Sequence, residues 1–237
     1  MQLDEAFDQR EADAKPALGV VARRLGAREH LEQVRQNLRV DADSRIDDLH
    51  DDGIAIGGNH FLHAARRNTD LAYIMMDNEI YGLTKGQAAP TTPLGDKTKS
   101  TTYGNPEAAV DPCALAISFG ATWVGRGFSG DVKGTTELMR RAIEHRGFAF
   151  LNILSPCVTW RGDDQTKVLR AKVTSLPHDH DPASREAALR YTNEEGVVTT
   201  GVLYAVQHPT LLDEIADVRG KAEKRPATRA EMLAAFA

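Results

Sequence analysis

Two short runs of residues constrain the fold of this chain more than any other feature. Leu71–Met76 and Phe148–Leu154 each have the length and character of a buried strand, and each ends at polar or loop-forming residues. Helical segments with recognisable ends lie between them. This alternation is typical of an α/β protein with a mostly parallel sheet, helices on both faces, and functional loops at the carboxyl ends of the strands.

The first 52 residues differ in character from the rest. They are rich in charge, and apolar residues recur at near-helical spacing from Ala17 to Leu38, which predicts one amphipathic helix. Residues 41–52 are dominated by acids and lack the apolar run that a buried strand needs. We therefore expect a divergent, helical or poorly ordered segment over 1–52, a domain over 53–212 and a helical tail over 213–237.

Composition narrows the class of protein. The 237 residues are 41% hydrophobic, which suits one domain with a substantial core. A net charge of -5 with scattered basic residues argues against nucleic acid as a partner. Because the chain has neither a long apolar stretch nor a secretory leader, we expect no membrane span and a cytoplasmic location.

Further elements follow from local capping signals. Asp111 and Pro112 predict a helix start, and Gly120 predicts its end. The remaining predicted elements are a strand over 121–124, a helix from Thr135 or Thr136 to Arg146–Gly147, helices over 164–176 and 184–191, and a strand over 200–206.

A long segment over 82–110 has no hydrophobic periodicity, which is rare in a compact domain unless the loop has a function. Its glycine, threonine, lysine and proline content suits an ordered loop that wraps a polar ligand. A surface excursion or lid is the alternative.

Two polar motifs are candidates for anion and metal binding. The glycine pair at 57–58, followed by Asn59 as a candidate N-cap, could bring backbone N–H groups and a helix start to a phosphate. Taken alone, the pair favours a structural turn. His60 and His63 lie one helical turn apart, but no third ligand for zinc follows nearby.

The segment 77–87 follows the first predicted strand. It offers an asparagine side-chain oxygen, loop carbonyls and amides around two glycines, which are the groups that a magnesium diphosphate needs. By composition alone it could also be a polar turn.

These motifs occur in an order that is found in a known family. They are Ala55–Phe61 (AIGGNHF), Arg66–Asn68 (RRN), Asp77–Gln87 (DNEIYGLTKGQ), Pro90–Pro93 (PTTP) and Ser155–Thr159 (SPCVT). From about Gly53 to Thr210 the chain resembles the β subunits of 2-oxoacid:ferredoxin oxidoreductases. The resemblance implies a thiamine-diphosphate-binding fold that is incomplete at the N-terminus.

The resemblance also implies roles for individual residues of the 77–87 segment. Asn78 would supply a side-chain oxygen to Mg²⁺, and Ile80 would supply its backbone carbonyl. The diphosphate would lie along Gly82, Leu83 and Thr84.

A second set of cofactor-binding residues would come from the glycine-pair motif. Gly57, Gly58, Asn59 and His60 would lie close to thiamine diphosphate, with His60 as the candidate catalytic residue.

The two cysteines receive different interpretations. Cys157 matches the family's last ligand to a [4Fe–4S] cluster, whereas a lone cysteine at a strand end is otherwise usually a small buried apolar residue. Cys113, on a predicted helix face, is expected to lie in the core.

The chain departs from the family before Gly53. The family's Cys-x-x-Cys pair and further upstream cysteine are absent, so we expect this chain alone to hold no cluster. The family's Gly-Asp-Gly-Asp falls on residues 49–52, and His50 stands where a metal-binding aspartate is expected. Asp51 or Asp52 could substitute as the Mg²⁺ ligand, and we hypothesise a truncated or frame-shifted reading of a longer subunit, which the nucleotide sequence upstream of codon 52 would test.

Two functions remain open from the sequence. The first is a β subunit that works with an α subunit, ferredoxin and coenzyme A in the oxidative decarboxylation of a 2-oxoacid such as 2-oxoglutarate or pyruvate. The second is a catalytically impaired module that binds thiamine diphosphate or docks to another subunit without the iron–sulfur cluster.

Overall fold

The computed structural model describes residues 20–22, 57–192, 194 and 196–223. The strands are β1 (Val20–Ala22), β2 (Leu71–Asp77), β3 (Trp123–Phe128), β4 (Phe148–Leu154), β5 (Val173–Ser175) and β6 (Val198–Ala205). The helices are α1 (Gly58–Arg66), α2 (Pro112–Ser118), α3 (Val132–Glu144), α4 (Val158–Arg161), α5 (Gln165–Lys172), α6 (Arg185–Thr192) and α7 (Leu211–Glu223). None of the helices in these ranges is long and apolar enough to cross a membrane.

The strands form one sheet in the order β1-β2-β4-β3-β6-β5. The central strands β2, β4 and β3 are parallel, whereas β1 is antiparallel to β2, and β6 is antiparallel to β3. Because parallel strands end at one edge of a sheet, the loops that follow β2, β3 and β4 lie side by side.

Helices cover both faces of the sheet, as the sequence predicts. Alternate residues of β4 point to opposite faces, with Phe148 and Phe150 in one core cluster and Leu151 and Ile153 in the other. Helices α1, α2 and α6 contribute to the first cluster, and α3 packs on the second. In the first cluster, the ring of Phe61 from α1 lies edge-on to Phe150, with centroids 5.2 Å apart.

Several predicted boundaries are confirmed. β2 and β4 occupy the two predicted runs, and β4 coincides with Phe148–Leu154. Asp111 caps α2 by accepting a hydrogen bond from the Ala114 amide at 2.8 Å, with Pro112 in the first turn. Gly120 follows the helix with φ of +92°, a conformation that favours glycine.

The predicted helix over 17–38 is wrong at Val20–Ala22, which form β1. An unpaired edge of β2 presents free backbone groups, and an extended Val-Val-Ala segment can satisfy them. The other residues of that range lie outside the described part of the chain.

Two other helix boundaries are wrong. Helix α3 begins at Val132, not at a threonine cap, because the Asp131 carboxylate accepts from the Gly134 amide at 3.0 Å. The Thr135 hydroxyl instead donates to the Phe128 carbonyl at 2.8 Å. The helix predicted over 164–176 ends at Lys172, because residues 173–175 pair with β6.

Candidate functional site

The loop after β2 begins at a buried carboxylate. Asp77 is 3% exposed, and its Oδ1 accepts from the Thr91 hydroxyl at 2.9 Å and from the Glu79 amide at 3.1 Å. Its Oδ2 accepts from the side-chain amide of Asn152 on β4 at 3.3 Å. Asp77 therefore joins the strand ends to the long loop, and its oxygens are already engaged within the protein.

The next residues form a tight turn. The Asn78 side-chain oxygen accepts from the Ile80 amide at 3.0 Å, the pattern of an Asx turn. Glu79 has φ of +57°, a left-handed conformation that costs free energy for a residue with a side chain. Ile80 is 2% exposed, so its side chain anchors the turn in the core.

A second turn follows at residues 81–87. The Gly86 amide donates to the Tyr81 carbonyl at 2.8 Å, and the Lys85 amide donates to the Gly82 carbonyl at 3.0 Å. Within the described ranges, the backbone amides at 82–84 have no acceptor. Consecutive free amides in a turn form an anion-binding concavity.

The indole of Trp160 packs against this second turn. A Cβ added to Gly86, which has φ of +91°, would lie 2.9 Å from the ring. Glycine is therefore required there by both the backbone conformation and the ring. The Lys99 ammonium lies 4.3 Å from the centroid of the same ring, a cation–π contact.

A cleft of about 210 Å³ lies beside the Asx turn. Its polar lining includes Asp77, Asn78, Glu79, Asp96, Arg161 and Lys172. Burial raises the pKa of Glu79 to about 7, and the positive charge of Arg161 opposes that rise. The guanidinium of Arg161 contacts the carboxylates of Glu79 at 3.1 Å and Asp96 at 2.6 Å.

The glycine-pair motif forms the start of α1. Gly57 is the N-cap and the helix begins at Gly58, so the prediction of Asn59 as N-cap is wrong. Gly57 has no side chain, and the His60 amide donates to its carbonyl at 2.9 Å. Asn59 and His60 are exposed in the first turn.

Helix α1 precedes β2 through a short turn and therefore runs back along the strand. The ring of Phe61 in its first turn packs against Tyr73 of β2, with ring centroids 5.5 Å apart. His60 and His63 belong to no group of metal-binding side chains within the described residues.

The cysteines lie in different environments. Cys157 occupies the N-cap position of the short helix α4, without a side-chain cap hydrogen bond, and is partly exposed. Cys113 is fully buried, its thiol donates to the Gly125 carbonyl at 3.8 Å, and burial raises its pKa to about 12. The core assignment of Cys113 is confirmed, whereas Asp52 lies outside the described residues.

Comparison with known proteins identifies the fold that carries this loop. Residues 51–153 match the C-terminal thiamine-pyrophosphate-binding domain of thiamine pyrophosphate enzymes. Residues 157–220 match the C-terminal part of the pyruvate ferredoxin oxidoreductase β subunit. The chain belongs to the 2-oxoacid:ferredoxin oxidoreductase β-subunit family.

Individual members of this β-subunit family share much of the chain. The 2-oxoacid:ferredoxin oxidoreductase β subunit of Saccharolobus solfataricus is 45% identical over 132 residues, which cover 56% of this chain and 43% of that protein. The corresponding subunit of a Sulfolobus species is 50% identical over 139 residues, covering 57% and 45%. The 2-oxoglutarate synthase subunit KorB of Methanocaldococcus jannaschii is 34% identical over 169 residues, covering 68% and 60%. The chain therefore spans only about half the length of the relatives it matches.

A solved structure gives the same result for the fold. It is a 2-oxoglutarate:ferredoxin oxidoreductase from Magnetococcus marinus with 2-oxoglutarate, coenzyme A and succinyl-CoA bound. The TM-score is 0.71 at 38% identity, and the match covers 79% of this chain and 65% of that chain. The expected α/β fold of the β-subunit family is thus confirmed.

The structure also shows residues that sequence reasoning missed. Arg161 and Thr92 both donate hydrogen bonds to the Glu79 carbonyl, although neither belongs to a recognisable metal-binding or phosphate-binding motif. Thr92 lies in the motif PTTP, so its position in the resemblance was the only available signal. Arg161 lies beyond the matched SPCVT motif, so the sequence contains no signal for its position in the site.

Proposed function

We propose that this chain forms the thiamine-diphosphate-binding part of a β subunit that works with an α subunit. The complete enzyme would convert a 2-oxoacid and coenzyme A into acyl-CoA and CO₂, releasing a proton and passing two electrons to ferredoxin. The observation that supports this most strongly is the loop over 78–84 at the carboxyl end of β2, in a domain that matches thiamine-pyrophosphate-binding domains.

The donor atoms of this loop fit a magnesium diphosphate. An amide oxygen has two lone pairs, so the hydrogen bond from Ile80 leaves Asn78 able to bind a cation. The carbonyl of Ile80 would add a second hard oxygen ligand, as Mg²⁺ prefers. The free amides of Gly82, Leu83 and Thr84 would donate hydrogen bonds to the diphosphate oxygens.

The start of α1 would complete the cofactor site. The N-terminus of a helix favours an anion, and Gly57 and Gly58 let the backbone approach it. Asn59 and His60 are exposed on the first turn, and we assign His60 as the candidate catalytic residue. Bound thiamine diphosphate would supply the carbanion that attacks the 2-oxo carbonyl.

Two substrates are suggested by the names of the matched proteins: 2-oxoglutarate by two relatives and pyruvate by the family model over 157–220. The Methanocaldococcus relative is a 2-oxoglutarate synthase subunit, and the Magnetococcus structure contains 2-oxoglutarate and coenzyme A. We therefore propose 2-oxoglutarate or pyruvate as the substrate and a cytoplasmic location, with an α subunit and ferredoxin as protein partners.

Thermal unfolding tests the cofactor site. Thiamine diphosphate with Mg²⁺ should raise the melting temperature, because a ligand at one hundred times its Kd stabilises the native state by about 2.7 kcal/mol. Thiamine without the diphosphate, or the diphosphate with EDTA, should have no effect. Asn78→Ala should abolish the shift, whereas Thr136→Ala on the exposed surface of α3 should keep it. No shift in the unaltered chain would refute the proposal.

The alternative function is a thiamine-diphosphate-binding or docking module without electron transfer. The sequence has 2 cysteines, and Cys113 is fully buried in the core, so these residues do not supply the four thiolates of a [4Fe–4S] cluster. Cys157 remains a candidate for one ligand. Iron content and 2-oxoacid-dependent dye reduction, measured with an α subunit added, separate the enzyme from the module.

A further inference from the structure

Arg161 joins three separate segments at the candidate site. Its side chain is 10% exposed. Arg161 is the last residue of helix α4, which begins directly after Cys157. One guanidinium nitrogen contacts the Glu79 carboxylate at 3.1 Å and the Asp96 carboxylate at 2.6 Å. The other terminal nitrogen donates to the Glu79 backbone carbonyl at 3.3 Å. The Cys157 segment, the Asx turn and the long loop therefore meet at one side chain.

The contact to Glu79 fixes the peptide group that orients Asn78. The carbonyl of the Glu79–Ile80 peptide accepts from Arg161 and from the Thr92 hydroxyl at 2.7 Å. The amide of the same peptide donates to the Asn78 side-chain oxygen. This peptide group is thus held at both ends, so its plane sets where the Asn78 oxygen points.

The backbone here needs such restraint. Glu79 adopts φ of +57°, and left-handed conformations of non-glycine residues cost free energy. They persist only where surrounding contacts determine them. Without the guanidinium, the turn would lose one of these contacts and could relax toward an ordinary backbone conformation.

The charge arrangement requires arginine in particular. Two carboxylates, from Glu79 and Asp96, share one guanidinium. A planar guanidinium can contact both carboxylates and the carbonyl together, whereas a lysine ammonium is a compact point charge on a flexible stem. A neutral side chain would remove the guanidinium charge from beside the two acids.

We propose that Arg161 is a positioning residue that holds the Asn78–Ile80 turn ready for Mg²⁺ and couples it to the segment that carries Cys157. This inference rests on the proposed function for its ligand, Mg²⁺, but the restraint on the turn depends only on contacts within the protein. A change at Arg161 should therefore weaken Mg²⁺ binding without disrupting the fold.

The test is a calorimetric Mg²⁺ titration of the full chain in a fixed excess of thiamine diphosphate. Arg161→Gln should weaken the apparent Mg²⁺ affinity by about tenfold or more, the usual effect of losing a residue that orients a metal ligand. Arg161→Lys should recover part of the loss. Arg140→Gln is the matched control, since Arg140 also contacts two carboxylates, Glu137 and Glu144, but lies exposed on α3.

Hydrogen exchange of the ligand-free chain gives an independent measurement. Arg161→Gln should speed exchange in peptides covering 78–90 and leave β4 unchanged. Equal exchange over 78–90 in both proteins would refute the positioning role. If the unaltered chain binds and Arg161→Gln binds Mg²⁺ equally well, only the role of Arg161 is refuted. If the unaltered chain binds no thiamine diphosphate, the proposed function fails and the coupling to Mg²⁺ fails with it.

Discussion

Replacing Thr92 by valine removes one hydroxyl group and leaves the shape of the side chain almost unchanged. Thr92 is fully buried, and its Oγ1 accepts from the Ala89 amide at 2.8 Å while donating to the Glu79 carbonyl at 2.7 Å. Valine would leave the Ala89 amide buried without that acceptor. The Glu79 carbonyl would keep its bond from Arg161 at 3.3 Å.

The expected loss of folding stability follows from the hydrogen bonds that the substitution removes. One stranded buried donor costs about 1–3 kcal/mol, so we expect Thr92→Val to lower the free energy of unfolding by about 2 kcal/mol. That is about a thirtyfold change in the folding equilibrium. Thr92→Ser keeps the hydroxyl and removes one methyl group, which should cost only about 0.8 kcal/mol.

Urea unfolding of the three proteins measures these differences through the transition midpoint at an unchanged slope. Thr136→Val provides a control, because its hydroxyl is exposed on α3 and bonds only to the Val132 carbonyl one turn earlier. The reasoning would be wrong if Thr92→Val were as stable as Thr92→Ser, since burial of the unsatisfied amide would then have no measurable cost.

Three further predictions follow from burial and backbone geometry. In the native protein a thiol reagent at pH 8 should label Cys157 and spare Cys113, whose pKa burial raises to about 12, and labelling of both would contradict that burial. Gly147→Ala should destabilise the fold by about 2 kcal/mol or more in thermal unfolding, because φ is +124° and the new Cβ would lie 2.5 Å from a buried amide oxygen. The control is Gly220→Ala, in a helix with open space around it, which should be neutral or stabilising in the same assay. Asp111→Asn should cost about 3 kcal/mol in chemical unfolding, because it leaves a buried arginine of β3 without its partner carboxylate.

Local sequence was sufficient for strands β2 and β4 and for one helix, whereas the strand predicted over 121–124 lies at Trp123–Phe128. The apolar runs of β2 and β4 are uniformly apolar and only 7 residues long, which favours buried parallel strands over helices. Asp111 and Pro112 determine the start of α2 through a side-chain cap and a preset φ. These signals act within a few residues, so no knowledge of the rest of the fold is needed.

The edges of the sheet depend on partners distant in sequence. Val20–Ala22 and Val173–Ser175 both lie in segments for which local patterns predict helix. They become strands because β2 and β6 offer unpaired backbone groups beside them. A three-residue strand has too few residues to show the period-two pattern that would have identified it.

In the candidate site, too, some features could be predicted from local sequence and others depend on tertiary contacts. The loop over 78–84 could be predicted from its residues, because its oxygen and amide groups are contiguous in the chain. The contacts that hold it could not, since Arg161 is 82 positions from Glu79 and 65 from Asp96. Sequence alone therefore determined which oxygen and amide groups the loop offers. Only the packing of β2 against β4 determined that Arg161 contacts the Asx turn, because that contact exists only after the strand ends have been brought together.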